Sequence, residues 1–366
     1  INSWRMWSQQ LRRPRWREPE RVVEWLGGVQ AQEYEWARWS IGLRTRDATE
    51  TDVQRAISER RVVRTWAFRG TLHLLAAADV SWVVPLLAPV ITAANARRYR
   101  QLELYEATFA QSNRVIRQVL EREGSLVRAE IAHSLESAGI SAEGQRAPYL
   151  LQRAALDGVI CHGLPRGREP TYVLLSQWIG SRGGLNRGKT LAALADRYVS
   201  GHGPATVQDF AWWAGLPVAI ARRAVHDARS LQRIEVDGKE LWAAQDRPFP
   251  PGRELPSLPG HELPVQRTAK QTAYLLPPFD GYLLGYRDRS WALDPAHAKR
   301  VNAGGGMPRP TIVLNGEVIG IWRRTVKGDR IIVTQELFRG LDETESTAVE
   351  GAARRYGDFY GVPVEI

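Results

Sequence analysis

Two glutamines, Gln30 and Gln32, flank a single alanine in the stretch LGGVQAQEY (residues 26–34), directly after the pair Gly27–Gly28. A primary amide is a weak acid, a weak base and a poor nucleophile; what it offers is a carbonyl acceptor and an NH2 donor. The plain reading is a polar turn between two helices. The catalytic reading requires a reaction in which oriented dipoles suffice. The carboxylates Glu24, Glu33 and Glu35 lie close enough in sequence to activate a water beside the amides. Other chemistries lack their parts. The one cysteine, Cys161, can form neither an internal disulfide nor a four-cysteine zinc site, and reads as a structural thiol in a reducing cytoplasm. The histidines (His73, His133, His162, His202, His226, His261, His297) show no His-Glu-x-x-His or other ligand spacing, so neither metal nor cofactor is expected. A nuclease would need clustered carboxylates for two metal ions, and none is evident.

The 366 residues suffice for two to four domains. No apolar run approaches the ~18–20 residues of a membrane-spanning helix. The longest, Val80–Ile91, is interrupted by Pro85 and Pro89. With no secretory signal pattern either, the expectation is a soluble protein without a membrane partner. The chain begins at Ile1 rather than Met, so a few residues are expected to precede it. The net charge is +10, which points to a polyanion as partner. Of the basic residues five are lysines and forty-five arginines, and residues 1–188 contain no lysine. The planar arginine fork suits phosphates and guanine edges.

Three stretches repeat one plan: helix, short helix, longer helix, then two strands joined by a turn. This is the winged-helix pattern. In the second stretch, helices over Asn113–Arg122, Leu126–Ser137 and Gln145–Leu156 precede strands over Gly158–Gly163 and Pro170–Leu175. In the third, helices over Thr190–Val199, Thr206–Ala214 and Pro217–Asp227 precede Leu231–Val236 and Leu241–Ala244, joined at Asp237-Gly238. The first is less regular, with helices over Pro19–Leu26, Tyr34–Leu43 and Thr51–Arg60 and strands over Val62–Trp66 and Thr71–Leu75. Residues 246–265 are proline-rich and read as a linker. Short strands follow at Ala273–Leu276, Thr311–Leu314, Val318–Trp322 and Arg330–Thr334, with a hairpin turn at Asn315-Gly316, then a helix over Thr344–Gly357. They suggest a β-barrel-like domain of roughly 100 residues. The expected fold is therefore α+β: residues 1–108, 109–186 and 187–248 as winged-helix units, and 249–366 as linker and barrel-like domain. Winged helices most often bind DNA.

Two long motifs, VRTWAFRGTLH (Val63–His73) and YLLPPFDGYLLGYRDR (Tyr274–Arg289), together with GIWRR (Gly320–Arg324), resemble those of the AlkZ-type winged-helix DNA glycosylases. With the three units, the resemblance spans nearly the whole chain. It implies three tandem winged helices plus a β-barrel, C-shaped around duplex DNA. Members carry Gln-apolar-Gln or Gln-apolar-Asp in the first unit. Gln30-Ala31-Gln32 is similar to the azinomycin-resistance branch, which unhooks interstrand crosslinks. The family is thought to reach such lesions through an open channel with a β-hairpin nearby, for which the glycine-rich Ala303–Pro310 is a candidate.

The resemblance gives the glutamines a task. A purine alkylated at N7 is already cationic and leaves as a neutral base, so a strong acid is unnecessary. One amide can orient a water and its dipole can face positive charge developing on the sugar. Gln32 is expected to hold the attacking water and Gln30 to support the water or sugar. A lysine-free first half argues against Schiff-base chemistry, so hydrolysis leaving an abasic site is expected. Arg69, His73, Arg97, Arg98, Arg222, Arg223 and Arg287 are candidate DNA contacts, with His73 equally readable as a core histidine. Asp280, Arg287 and Asp288 read as a structural lattice. Seven tryptophans crowd the first unit, most of them core; an exposed one could stack on a base. The expected protein is a monomer on the nucleoid of a cytoplasm, acting on double-stranded DNA with N7-alkylpurines or crosslinks. The alternative is a non-catalytic winged-helix regulator or drug-sequestering protein.

Overall fold

The structure is a computed structural model that describes residues 1–180, 190–245, 271–302, 304 and 306–366. The proline-rich stretch 246–265 lies outside the described residues. After α1 (Asn2–Ser8), the first helical unit comprises α2 (Pro19–Leu26), β1 (Val29–Gln30), α3 (Tyr34–Gly42), α4 (Glu50–Ser58), β2 (Val62–Trp66) and β3 (Leu72–Ala76). A long helix, α5 (Ala77–Gln101), leads to the second: α6 (Glu106–Glu123), β4 (Ser125–Val127), α7 (Arg128–Ser137), α8 (Arg146–Leu156), β5 (Ile160–His162), β6 (Thr171–Leu174) and α9 (Leu175–Ile179). The third comprises α10 (Leu191–His202), α11 (Val207–Ala214), α12 (Val218–Asp227), β7 (Leu231–Val236) and β8 (Lys239–Ala244). The C-terminal part holds β9 (Ala273–Leu276), α13 (Gly281–Leu284), α14 (Ala298–Val301), β10 (Thr311–Leu314), β11 (Glu317–Lys327), β12 (Arg330–Leu337), α15 (Glu343–Tyr360) and β13 (Val364–Glu365).

Local chemistry accounts for most boundaries. Thr49 and Thr206 each accept the backbone N–H three residues on, and Asp52 and Asp209 reciprocate, closing capping boxes on α4 and α11. Pro19 opens α2, and Gly27 ends it at φ 74° in the left-handed conformation. Gly28 follows at φ 143°, where a Cβ would stand 2.8 Å from Leu75 Cδ2. The glycine pair therefore lets the chain leave a helix and press at once against β3.

Several sequence expectations need correction. LGGVQAQEY is not a simple turn between helices: Val29 and Gln30 form a strand, paired antiparallel with Leu74 and His73. Leu126 and Val127, expected to open a helix, belong with Ser125 to β4. The prolines at 85 and 89 do not break the apolar run; both lie inside the 25-residue α5. That helix is long and apolar enough to cross a bilayer by length and composition alone. Its Val80, Val83, Val84 and Leu87 are nevertheless buried in the same core as Phe68, Cys161 and Trp213.

The hairpins of the first two units merge into one six-stranded sheet, β1-β3-β2-β5-β6-β4, joined at Arg64 and His162. The hairpin β7/β8 stands as a separate two-stranded sheet. The main hydrophobic core runs through all three units, from Val63 and Leu87 to Val173 and Tyr198. A second core joins Val22 and Trp39 of the first unit to Ile312, Trp322 and Tyr356. The C-terminal sheet, β13-β12-β11-β10-β9, is open; β9 and β13 do not pair, so it forms a half-barrel rather than a closed one. Its β11/β12 hairpin is longer than expected, running from Gly320 opposite Leu337 to Lys327 opposite Arg330.

Candidate active site

Gln30 ends β1 at the edge of the sheet and Gln32 lies two residues on, in the bend that follows; both are more open to solvent than Ala31 between them. Ala31 is fully buried. Its N–H donates to Leu72 O at 2.7 Å, continuing the β1/β3 ladder. The next rung is made by a side chain: Leu72 N–H donates to Gln32 Oε1 at 2.8 Å. Arg64 fixes the far side, donating through Nε and Nη2 to Ala31 O at 3.1 and 2.8 Å. Gln30 Oε1 accepts from Arg69 Nη2 at 3.0 Å. Each amide oxygen thus holds one donor and keeps a second lone pair. Neither Nε2 has an acceptor among the described residues.

Arg69 sits in the turn between β2 and β3 at φ 56°. Besides Gln30, it donates to the carbonyls of Trp212 and Trp213 at 3.2 and 3.4 Å. Burial, and then the charge of Arg289, lower its pKa to about 10. Its guanidinium is spent on protein acceptors, which corrects its reading as a wing residue free for phosphate. His73 is corrected more strongly. It is 3% exposed, donates from Nδ1 to Thr71 O at 3.0 Å, and burial lowers its pKa to about 3. A buried neutral imidazole cannot meet a phosphate, and the core reading fits it. Beside Gln30, Arg69 and His73 lies a cavity of about 20 Å³, room for about one water.

The other candidates lie apart from the glutamines. Arg97 is exposed and Arg98 half-buried near the end of α5, with Arg98 bonded to Gln101. Arg222 and Arg223 are exposed on α12, Arg223 only loosely paired with Asp227 at 3.9 Å. Arg287 is exposed, its backbone N–H held by Asp209 at 2.9 Å. Of the acidic neighbours, Glu35 is paired with Arg324 and Glu24 with Arg21 and Arg197. Glu33 is exposed and lines a surface groove of about 950 Å³ with Tyr34, Arg55, Arg168 and Arg324. Residues 303 and 305 of the Ala303–Pro310 candidate lie outside the described residues. Among the described residues no cluster of His, Cys, Asp or Glu is arranged to hold a metal.

Asp280 is structural. It is 4% exposed, accepts from Arg44 at 2.7 and 2.9 Å and from Ser40 Oγ at 2.8 Å, and caps α13 through Tyr282 N–H. This buried pair ties α3 to the C-terminal part directly beneath the Gln30 cavity. Arg287 and Asp288 do not join it: their backbone N–H groups bind Asp209. Arg64 was missed as a positioning residue, although VRTWAFRGTLH contains it. Trp212 and Arg289 were missed because their neighbours are distant in sequence.

The fold that carries this edge amide pair, held by two arginines and backed by a water-sized cavity, defines the class of the protein. The class is that of the AlkZ-like DNA glycosylases: the model of that family matches residues 23–359, and the chain belongs to the family. Along its full length it is similar to the interstrand DNA cross-link repair glycosylase of Streptomyces sahachiroi, 29% identical over 385 aligned residues and covering 98% of that protein. Its fold is similar to the solved Streptomyces sahachiroi DNA glycosylase AlkZ, with a TM-score of 0.78 at 26% identity, covering 100% of this chain and 98% of the other.

Proposed function

We propose that this chain is a monofunctional DNA glycosylase. It hydrolyses the N-glycosidic bond of N7-alkylated purines, unhooks azinomycin-type interstrand crosslinks, and leaves abasic sites. Its role is self-resistance to a DNA-alkylating natural product. The observation that carries this reading is the Gln30-Ala31-Gln32 segment, whose two amides are latched through their oxygens and open at their NH2 groups, in a chain of this family. A latched amide is preorganised, which is what dipolar stabilisation of a charged transition state requires. The open Gln30 NH2 donates to the oxygen of the attacking water. The remaining lone pair of Gln32 Oε1 accepts a hydrogen bond from that water and faces the positive charge developing on the sugar, and the proton of the water passes to solvent once its oxygen has bonded to the sugar. The cationic lesion supplies the leaving group, so no general acid is invoked. Among the described residues no lysine lines the cavity beside Gln30, which supports hydrolysis over Schiff-base chemistry.

In this reading the three helical units, residues 1–108, 109–186 and 187–248, are winged helices. With the linker and barrel-like domain of 249–366 they curve as a C around duplex DNA, in a monomer on the bacterial nucleoid. Arg222 and Arg223 on α12, Arg97 and Arg98 on α5, and Arg287 contact phosphates, while Arg69 and His73 support Gln30. The β11/β12 hairpin, with exposed Arg323, Val326 and Lys327, joins Ala303–Pro310 as a candidate for the hairpin at the lesion. The test is base release from a duplex with one N7-methylguanine, by wild type and Gln32→Ala, with heat or alkali revealing abasic sites. Release by wild type and its loss in the variant are expected; the azinomycin crosslink is then the next substrate. Tight binding to undamaged DNA without any release sinks the reading for simple lesions.

A further inference from the structure

Of the fourteen tryptophans, all among the described residues, Trp212 alone is exposed, at 42%. It lies on α11, whose Phe210 and Trp213 are buried. Its ring N–H donates to Leu284 O at 3.3 Å, which fixes the indole while leaving much of it to solvent. The Arg69 guanidinium lies 5.4 Å from the ring centroid. That same guanidinium holds Gln30 Oε1 at 3.0 Å. One arginine therefore connects the exposed indole to a catalytic amide.

Arg289 follows Arg287 and Asp288, whose backbone N–H groups are held by Asp209, three residues before Trp212 on α11; its charge also lowers the Arg69 pKa. It is half-buried, and its Nε is buried with no acceptor. No carboxylate pairs with it among the described residues. The adjacent Asp288 is spent on Ser290 and Lys239. The charges of Arg69 and Arg289 repel each other, and Arg289 carries in addition the desolvation of a buried, unbonded N–H. An arriving phosphate relieves both costs and takes up the free donors.

We propose that Trp212 and Arg289 form a nucleotide clamp beside Gln30, the indole stacking on a base exposed at the lesion step and Arg289 holding a phosphate of the same strand. The proposal rests on the glycosylase reading and adds to it the means of positioning the lesion. A crosslinked purine is tethered and cannot be swung freely from the helix. An aromatic platform that stacks on an unpaired base holds the opened step without full extrusion.

The experiment uses the full chain and two duplexes, one undamaged and one with a tetrahydrofuran abasic-site analogue opposite 2-aminopurine. Affinity is measured at several salt concentrations and 2-aminopurine fluorescence on binding. Trp212→Ala should weaken binding to the abasic duplex roughly ten-fold, leave undamaged duplex within about two-fold, and abolish the 2-aminopurine quenching; Trp212→Phe should restore most of both. Arg289→Ala should lower the slope of log affinity against log salt by about 0.9, as for one lost phosphate contact, and Arg289→Lys should keep it. Wild-type values for slope and fluorescence in the alanine variants, or equal loss on both duplexes without rescue by Phe, overturn the clamp. If wild type shows the clamp signals but releases no base from N7-methylguanine, the glycosylase reading fails and the clamp stands. If base is released while Trp212→Ala quenches 2-aminopurine normally, the clamp fails and the reading stands.

Discussion

Helices α4 and α12 are each the third helix of their unit, and they present opposite surfaces. On α4, Glu50 is paired with Arg38, Asp52 closes the N-terminal capping box, and Arg55 leans back on Asp52 at 3.3 Å. On α12, Arg222 and Arg223 are directed to solvent. The hairpins that follow differ as well. β7/β8 remains a two-stranded sheet, bridged at Trp242 to Ala205, whereas β2/β3 gains β1 on one edge and β5 on the other. The same order of elements thus yields an exposed pair of arginines on the third helix of the third unit, and a braced sheet edge carrying the glutamines in the first. An exposed helix needs only its own charge. An edge that must hold two amides still needs support from every side, and here it comes from Arg64, Arg69, Gly28 and the Arg44–Asp280 pair.

The strongest way to break this contrast is to remove its deepest brace. Asp280→Ala strands Arg44 in the core, and the chain should lose about 3–5 kcal/mol of stability, read by denaturant unfolding; Arg222→Ala should leave stability unchanged. Gln32→Ala keeps the fold but removes an oriented dipole. Single-turnover base release should fall about 10²–10³-fold with DNA affinity intact. Equal loss of affinity and rate would instead assign Gln32 to binding. Gly28→Ala forces a Cβ at φ 143° into Leu75 and Phe68 and should cost about 1–3 kcal/mol, seen as a lower Tm.

Acid tests what the two regions share. Burial holds His73 of the first unit and His202 of the third near pKa 3, below the ~6.5 of an unfolded chain. The unfolded state then binds more protons between those values. Stability is therefore full above about pH 6.5 and declines as pH falls toward 3. A pH-independent unfolding midpoint across that window would contradict the burial of both. The smallest effect belongs to the third unit. Arg222→Ala and Arg223→Ala should each reduce the salt slope of DNA binding by up to about 0.9, with base release at saturating protein unchanged.

How much of this was legible differs by element. The helices around Pro19, Thr206 and Pro217 and the hairpins at Asp237-Gly238 and Asn315-Gly316 could be located because their signals are local. Both hairpin turns indeed have positive φ at their two central residues. The glutamine pair and the two long motifs also lie in single short stretches. Sequence periodicity failed at α5, where Pro85 and Pro89 argued for a break and burial in the shared core outweighed them. It failed at Val29 and Gln30 because a two-residue strand has no periodicity to detect.

The sequence by itself determined the order of the elements, the basic charge, the amide pair and the family, all of which are written in neighbouring residues. Only the tertiary structure decided what the site residues do. Arg69 turned inward to acceptors 143 and 144 positions away, and His73 was sealed in the core. Trp212, outside the tryptophan-rich first unit, was the one left exposed. A capping box or a turn is settled by contacts within a few residues. Whether a side chain meets water, DNA or the core depends on which distant surface folds over it.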